Sequence, residues 1–181
     1  ARIFECLEVP VYYADLRAKQ LMQDDPEIRE QLAALLGNGV IKSGRLDREY
    51  IAGLVFKDPV LLEKLNAIVH PATIQDALNW FNAQDAPYAM KEAALLFESG
   101  SAAGLDYVIG VSAPLSIRLQ RIMKRDGLTR EAVKDRTEKQ LDESMKMKLC
   151  DFVLVNDEQQ PLLPQVLDLH QQLLKLSTSR I

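Results

Sequence analysis

The segment YVIGVSAPLSIRLQRIMKRD, residues 107–126, joins a short apolar run to a basic helical pattern. The apolar run, residues 107–112, has the length of a buried strand, and the pattern after it carries Arg118, Arg121 and Arg125. Positions i, i+3 and i+7 share one face of a helix, and no Asp or Glu before Arg125 neutralises that face locally. A cationic helix that leaves a buried strand is typical of proteins that close over nucleotide phosphates.

Three further apolar runs of strand length lie at residues 9–13, about 87–97 with a polar interruption, and 152–155. The runs are continuous rather than alternating, which is typical of strands buried on both faces. Helical patterns separate them along the chain. We therefore predict an α/β fold with a mostly parallel sheet.

The composition limits the classes of function. The 181 residues suit one domain, and 48% hydrophobic with 27% charged residues allow a substantial core under a polar surface. A net charge of -4 argues against general nucleic-acid or acidic-membrane binding, so local positive charge favours a small anionic ligand. Cys6 and Cys150 form neither a metal-site spacing nor a disulfide framework, and no apolar run is long enough for a membrane span. We expect a cytoplasmic protein.

Helical patterns dominate residues 15–81, where we predict no strand. Asp25 and Asp58 each precede a proline, which places a capping carboxylate before a helix's first position. Pro71 lies inside the second of these helical patterns and should kink or split it after Val69.

The segment GNGVIKSG, residues 37–44, has the composition of a phosphate-binding loop without its spacing. A Walker A loop requires Gly immediately before its Lys, whereas Ile41 precedes Lys42. We interpret the segment as an ordinary glycine-rich connection between helices, so this sequence contains no Walker A motif.

Two carboxylates follow predicted strands, at the edge where open parallel sheets bind ligands. Asp15 could orient a substrate hydroxyl and accept its proton, or it could cap a helix over residues 16–22. Glu98 ends the run at residues 93–98, which we predict to be a buried strand. It could position magnesium-bound water or a substrate group, or it could cap the next turn or pair with a neighbouring base.

Three other polar residues have two interpretations each. Arg121 is central in the basic cluster, and an arginine that reaches a transferring phosphoryl group can raise a rate on the order of 10³–10⁵-fold. The alternative is a solvated basic face, since like charges at helical spacing cost only about 0.2–0.5 kcal/mol per pair. Asn156 follows the last strand and either hydrogen-bonds a nucleotide base or makes a turn with Asp157. His70, on position alone, is a partly buried polar side chain satisfied locally.

Six segments in the same order and spacing resemble the dephospho-coenzyme A kinase family of P-loop kinases: VPVYYAD (9–15), GRLDREYIAGLVF (44–56), LNAIVHP (65–71), LLFES (95–99), RLQRIMKRD (118–126) and DFVLVN (151–156). The resemblance implies a three-layer, doubly wound α/β core with a helical substrate-binding region and a helical lid. It also implies transfer of the ATP γ-phosphate to the ribose 3′-hydroxyl of dephospho-coenzyme A, the last step of coenzyme A synthesis.

The resemblance also assigns contacts with the two substrates. The implied residues are Asp15 and Arg121 for catalysis, Arg48, His70 and Glu98 for the acceptor, and Arg121, Arg125 and Asn156 for ATP. ATP is the implied co-substrate and Mg²⁺ the implied cofactor, with no metal ligand assigned among the side chains. The implied partners are small molecules, without nucleic acid or membrane, and the implied state is a monomer or weak homo-oligomer.

The implied organisation is a single kinase domain over residues 1–181. Its core would comprise about residues 1–14, 82–113 and 150–181, the acceptor-binding region about 15–81 and the lid about 114–149.

The sequence departs from the family pattern at Tyr13, where an acidic residue is usual, at Glu8 in place of Gly and at Ala94 in place of Pro. The family also begins with a strand and a Walker A loop, which cradles the triphosphate. We therefore expect an N-terminal segment to precede Ala1 and this chain by itself to be inactive. The alternatives are another small P-loop nucleotide or metabolite kinase and a non-catalytic kinase-fold module.

Overall fold

The computed structural model describes residues 1–127, 129–131, 133 and 142–179. The chain divides into two compact units, Ala1–Ala93 and Ala94–Ile181. In chain order, the first unit contains α1 (Arg2–Cys6), β1 (Val11–Tyr13), α2 (Ala14–Asp24), α3 (Pro26–Leu36), a 3-10 turn (Asn38–Val40), β2 (Ile41–Lys42), β3 (Arg45–Leu46), α4 (Arg48–Val55), α5 (Pro59–Asn82) and β4 (Met90–Glu92). The described elements of the second unit are β5 (Ile109–Ser112), α6 (Leu115–Asp126), α7 (Glu143–Lys148), β6 (Phe152–Val155) and α8 (Leu162–Thr178).

A parallel pair of strands organises the first unit. Strands β1 and β4 pair in register from Val11 opposite Met90 to Tyr13 opposite Glu92. Tyr12 of β1 is only 1% exposed and packs with Ala77 of α5. Because the two strands are parallel, their carboxyl ends lie at the same edge of the sheet.

Helices α2 to α5 surround a second group of buried side chains in this unit. Each helix turns an apolar stripe inward, and removing those stripes from water stabilises the packing. The fully buried members are Ile28, Leu32, Val40, Leu46, Ile51, Val55, Leu65 and Val69. The helical patterns that we predicted for this part of the chain are thus confirmed.

The expectation of no strand in this helical part is wrong in one detail. Strands β2 and β3 form a short antiparallel hairpin in which Ile41 pairs with Leu46. The turn requires positive φ at both Ser43 (50°) and Gly44 (75°), a geometry that suits two-residue hairpin turns and that glycine adopts readily. The glycine-rich segment is confirmed as a connection between helices.

Both predicted proline-adjacent caps are confirmed. Asp25 Oδ1 accepts hydrogen bonds from the N–H groups of Glu27 and Ile28, at 2.9 and 3.2 Å. Asp58 does the same at α5, where Val60 and Leu61 donate at 3.0 and 3.1 Å. Each carboxylate therefore satisfies two of the backbone donors that a helix start leaves without intrahelical partners.

We predicted a kink or a split after Val69; the split is wrong, since α5 continues through Pro71 from Pro59 to Asn82. Proline removes one backbone hydrogen bond, but the helix buries side chains on both sides of it, including Val69 and Ala77. Thr73 Oγ1 also donates to the Val69 carbonyl at 2.8 Å across the proline. Packing thus holds the helix together where local sequence favours a break.

The predicted strand at residues 87–97 is also largely wrong, because β4 spans only Met90–Glu92. Strand β1 ends at Tyr13, opposite Glu92, and the ladder of backbone hydrogen bonds ends with it. Residues 94–100 form turns, in which the Ser99 N–H donates to the Leu95 carbonyl at 3.0 Å. The apolar run LLF therefore lies outside the sheet, with Leu95 45% exposed.

The second unit is built on a second parallel pair, β5 and β6, which runs from Ile109 opposite Phe152 to Ser112 opposite Val155. Gly110 allows α7 to approach β5 closely: a Cβ atom there would lie 2.7 Å from Met147 Sδ and 2.9 Å from Cys150 Sγ. The predicted strand at residues 152–155 is confirmed in full.

Helix α8 joins β6 through a side-chain amide. Gln165 Oε1 accepts from the Val155 N–H at 2.8 Å, and Gln165 Nε2 donates to the Val155 carbonyl at 3.0 Å. The helix buries Val166, Leu169 and Leu173. Across the part of the chain that the structure describes, no helix combines the length and apolarity needed to cross a membrane.

We expect Asp25→Ala to lower the free energy of unfolding by about 0.5–2 kcal/mol, because it removes the acceptor for two helix-start donors. Urea denaturation measures the change. The control is Asp24→Ala, which removes the neighbouring exposed carboxylate at the end of α2. Equal losses in the two variants would refute the capping role of Asp25.

Candidate active site

Asp15 lies at the carboxyl edge of the β1–β4 pair. Helix α2 begins at Ala14, so Tyr13 occupies the N-cap position and Asp15 falls in the first turn. The alternative that Asp15 caps a helix starting at residue 16 is therefore wrong. The Asp15 side chain is exposed, and the positive end of the helix dipole favours its negative charge. The structure leaves this carboxylate accessible at a sheet edge.

A second carboxylate, Glu92, ends β4 at the same edge. Burial raises the pKa of Glu92, and the negative charge of Asp15 raises it further. The two groups are therefore close enough to interact electrostatically. Glu92 was not among the predicted site residues, because the strand was expected to end at Glu98. The polar pair Lys91-Glu92 inside the apolar run was the signal that the strand ends there.

A hydrogen-bond network joins the two elements on either side of Asp15 to α5. Asp76 of α5 accepts from Tyr12 of β1, whose hydroxyl lies 2.7 Å from Oδ2. It also accepts two bonds from Arg17 of α2, from Nε to Oδ2 at 3.0 Å and from Nη2 to Oδ1 at 2.5 Å. Sequence patterns gave no indication of this network, because its members are about 60 positions apart.

Arg48 and His70 lie on α4 and α5 of the first unit. Arg48 is the first residue of α4, whose N-cap Asp47 accepts from the Tyr50 N–H at 3.0 Å. His70 lies one residue after the buried Val69, and its own side chain is exposed rather than partly buried. The two helices pack together through the shared aliphatic core. The side chains of Arg48 and His70 lie outside this core and are accessible to a ligand.

In the second unit, the three arginines of α6 are not an unneutralised face. Arg118 forms an ion pair with Glu143 of α7. Arg125 pairs with its neighbour Asp126, from Nε to Oδ1 at 2.7 Å. Neutralisation comes from residues at or beyond the end of the helix, so local sequence does not reveal it.

Arg121 contacts Asn156 and Glu158 beyond the end of β6. Its Nη1 donates to the Asn156 carbonyl at 3.1 Å and its Nη2 to Asn156 Oδ1 at 3.3 Å. Nη2 also lies 3.0 Å from Glu158 Oε1. The structure thus brings together two residues that the resemblance assigns separately to ATP.

The turn after β6 is made by Asp157 rather than by Asn156. Asp157 Oδ1 accepts from the N–H groups of Gln159 and Gln160, both at 2.9 Å. The Asn156 backbone N–H donates to the Ser112 carbonyl at 2.8 Å and so extends the β5–β6 ladder. The Asn156 side chain is therefore held at the sheet edge, where Arg121 meets it.

Glu98 does not end a buried strand, which corrects that prediction. It lies in the turns after β4 and forms an ion pair with Lys146 of α7, with Oε1 2.6 Å from Nζ. The two side chains are 20% and 16% exposed, respectively. Pairing with a basic neighbour, one of the alternatives for Glu98, is present in the structure. Among the described residues, no group of three or more His, Cys, Asp or Glu side chains converges on a possible metal position.

The sequence profile of the dephospho-CoA kinase family matches residues 1–161. The chain belongs to the dephospho-CoA kinase family. Dephospho-CoA kinase of Bacteroides fragilis is 32% identical over 170 residues, which are 93% of this chain and 83% of that protein. Dephospho-CoA kinase of Porphyromonas gingivalis is 35% identical over 167 residues, 92% of this chain and 83% of that protein.

Solved structures show the same fold. A Thermus thermophilus crystal structure superimposes with a TM-score of 0.85 at 33% identity, over 94% of this chain and 87% of that one. Dephospho-CoA kinase from Campylobacter jejuni gives a TM-score of 0.70 at 24% identity, over 99% of this chain and 90% of that one. The predicted doubly wound α/β class of the P-loop kinases, with parallel strands, is confirmed by this likeness.

The interaction of Glu92 with its surroundings predicts a pH dependence of stability. A raised pKa means that the folded state holds the Glu92 proton more tightly than the unfolded state, so stability falls as pH rises past about 4.5, the ordinary value. Glu92→Gln removes this penalty. We expect the stability of the variant relative to wild type to increase between about pH 4 and pH 7, measured by urea denaturation.

The control is Glu30→Gln, which removes a carboxylate on the exposed face of α3. A difference between Glu92→Gln and wild type that stays constant with pH would contradict the coupling.

Proposed function

We propose that this protein transfers the γ-phosphate of ATP to the ribose 3′-hydroxyl of dephospho-coenzyme A, the last step of coenzyme A synthesis. Membership of the dephospho-CoA kinase family supports the reaction class and ATP as co-substrate. The observation that carries the proposal is the accessible carboxylate of Asp15 at the carboxyl edge of a parallel strand pair. Ligands of open α/β sheets bind at this edge.

Asp15 is the proposed catalytic carboxylate. A hydroxyl acceptor becomes a better nucleophile when a carboxylate orients it and accepts its proton as phosphate arrives. The exposed position of Asp15 in the first turn of α2 allows such a contact.

The helical part of the first unit is the proposed acceptor-binding region, at about residues 15–81. Exposed Arg48 on α4 suits the phosphates of dephospho-coenzyme A, and exposed His70 on α5 supplies a further polar contact. We propose that Glu98 contacts substrate from its ion pair with Lys146. The core at about residues 1–14, 82–113 and 150–181 and the lid at about 114–149 belong to the same proposal.

The proposed ATP contacts are Arg121, Arg125 and Asn156 of the second unit. Arg121 and Glu158 have side chains 39% and 64% exposed, and exposed ion pairs contribute only about 0–1 kcal/mol. Arg125, 74% exposed, pairs with its neighbour Asp126. A triphosphate can therefore replace these carboxylates at small energetic cost. Asn156 offers an amide for the nucleotide base.

Mg²⁺ is proposed to accompany ATP. Mg²⁺ prefers oxygen ligands and usually binds through one or two carboxylates together with substrate phosphates. The carboxylate of Glu92, at the sheet edge that it shares with Asp15, fits that preference and would hold the ion. When bound, the ion would offset negative charge on the phosphates.

The cytoplasmic location and the monomeric or weakly oligomeric state also remain proposals.

We expect Asp15→Asn in the full-length protein to lower kcat by about 10²–10⁴-fold, because the amide does not accept the hydroxyl proton. ATP binding, measured by calorimetry, should stay close to that of wild type. Asp24→Asn, an exposed carboxylate at the other end of α2, is the matched control and should retain kcat. Unchanged turnover in Asp15→Asn would remove Asp15 from the mechanism.

We expect Arg121→Ala to slow phosphoryl transfer on the order of 10³–10⁵-fold while weakening dephospho-coenzyme A binding far less. The guanidinium would act on charge that develops during transfer rather than on the bound acceptor. Rapid-quench kinetics and equilibrium binding separate the two quantities. Lys124→Ala, an exposed cation on the same helix, serves as control; equal losses of rate and acceptor affinity in Arg121→Ala would assign Arg121 to binding alone.

A further inference from the structure

The carboxylate of Asp76 is shared by the two residues that flank Asp15. Tyr12 lies three positions before Asp15 and donates to Asp76 Oδ2 at 2.7 Å. Arg17 lies two positions after Asp15 and donates to both Asp76 oxygens, at 3.0 and 2.5 Å. One side chain on α5 is thus bonded to the strand before Asp15 and to the helix that carries it.

This network is partly shielded from water. Tyr12 is 1% exposed, and its ring packs against those of Trp80 and Phe81, with centroid separations of 5.5 and 6.1 Å. The Asp76 side chain is 20% exposed. The hydrogen bonds from Arg17 hold the pKa of Asp76 below its ordinary value, despite partial burial. Asp76 therefore remains a charged acceptor, and hydrogen bonds to charged groups are stronger and more directional than neutral ones.

The first turn of α2 has no capping side chain to hold it. Tyr13 occupies the N-cap position and makes no side-chain cap bond, in contrast to Asp25 and Asp58 at α3 and α5. Proteins commonly fix a helix start through such a cap. Here the orientation of the turn that carries Asp15 depends on the residues at either side of it, and both of these are bonded to Asp76.

We propose that Asp76 is a positioning residue for phosphoryl transfer, which holds the first turn of α2 through Tyr12 and Arg17 so that the Asp15 carboxylate meets the acceptor hydroxyl. This inference rests on the proposed function. Asp76 itself exchanges no proton with substrate and acts only through the position of Asp15. Catalytic groups must be held close to their productive geometry, and a displacement of about 1 Å can cost about 10²-fold in rate.

The test measures kcat and KM for ATP and dephospho-coenzyme A in the full-length protein. Asp76→Asn keeps the size of the side chain but removes its charge and one acceptor oxygen. Tyr12→Phe keeps the buried ring and removes only the hydroxyl donor, so it remains informative if the first variant folds poorly. Asp58→Ala, which removes a helix cap in the same unit away from the network, is the control for general destabilisation.

We expect Asp76→Asn to lower kcat by about 10–100-fold with little change in either KM. Tyr12→Phe should give a smaller loss of the same kind, and Asp58→Ala should keep kcat at temperatures well below its Tm. The deciding measurement repeats Asp76→Asn in an Asp15→Asn background. There the residual rate should fall by less than about twofold further, because a residue that acts through Asp15 has nothing left to position.

Three results would overturn the inference. The first is an unchanged kcat in both Asp76→Asn and Tyr12→Phe. The second is a fold loss of kcat from Asp76→Asn that is the same in the Asp15→Asn background as in wild type. The third is a kcat loss in Asp58→Ala equal to that in Asp76→Asn. A full-length wild-type protein that does not phosphorylate dephospho-coenzyme A overturns the proposed function and this inference together. An active wild type with full kcat in the network variants overturns this inference alone.

Discussion

The parallel pairing of β1 with β4 is the constraint on which the first unit depends. Parallel strands bring their carboxyl ends to one edge, and the register that places Tyr13 opposite Glu92 determines which side chains emerge there. Asp15 follows the first strand directly, and Glu92 ends the second. A shift of one strand by one residue against its partner would turn that strand's side chains to the opposite face. The chemistry of this edge therefore depends on the register as much as on the residues.

The basic helix α6 of the second unit likewise depends on contacts with residues that are distant in sequence. Arg118 and Arg121 find their partners on α7 and beyond β6, at Glu143 and Glu158. Glu143 also accepts from Ser112 Oγ and the Ala113 N–H, both at 3.2 Å, so one carboxylate joins the end of β5 to two helices. The helix is therefore held in place by charge pairs, of which the more exposed contribute least to stability.

Local chemistry explains which expectations succeeded. The caps Asp25 and Asp58 could be predicted from the sequence because a cap involves only a few consecutive residues. The strand Phe152–Val155 could be predicted because a short apolar run between turn signals is typical of a buried strand. The run at residues 87–97 failed because a strand extends only as far as its partner, and β1 ends at Tyr13. The helix did not split at Pro71, because packing along α5 outweighs the lost hydrogen bond.

The sequence by itself determined the helix starts after Asp25 and Asp58, the strand at residues 152–155, the candidate carboxylate Asp15 directly after a strand and, through six short segments, the family. Each of these follows from residues that are neighbours in the chain. Only the tertiary structure decided that Glu92 rather than Glu98 ends the strand beside Asp15, that Arg121 meets Asn156, and that Asp76 joins Tyr12 to Arg17. These contacts link residues about 35 to 80 positions apart. Local propensity describes neighbouring residues only, so it does not predict which distant groups come within hydrogen-bond distance when the chain packs.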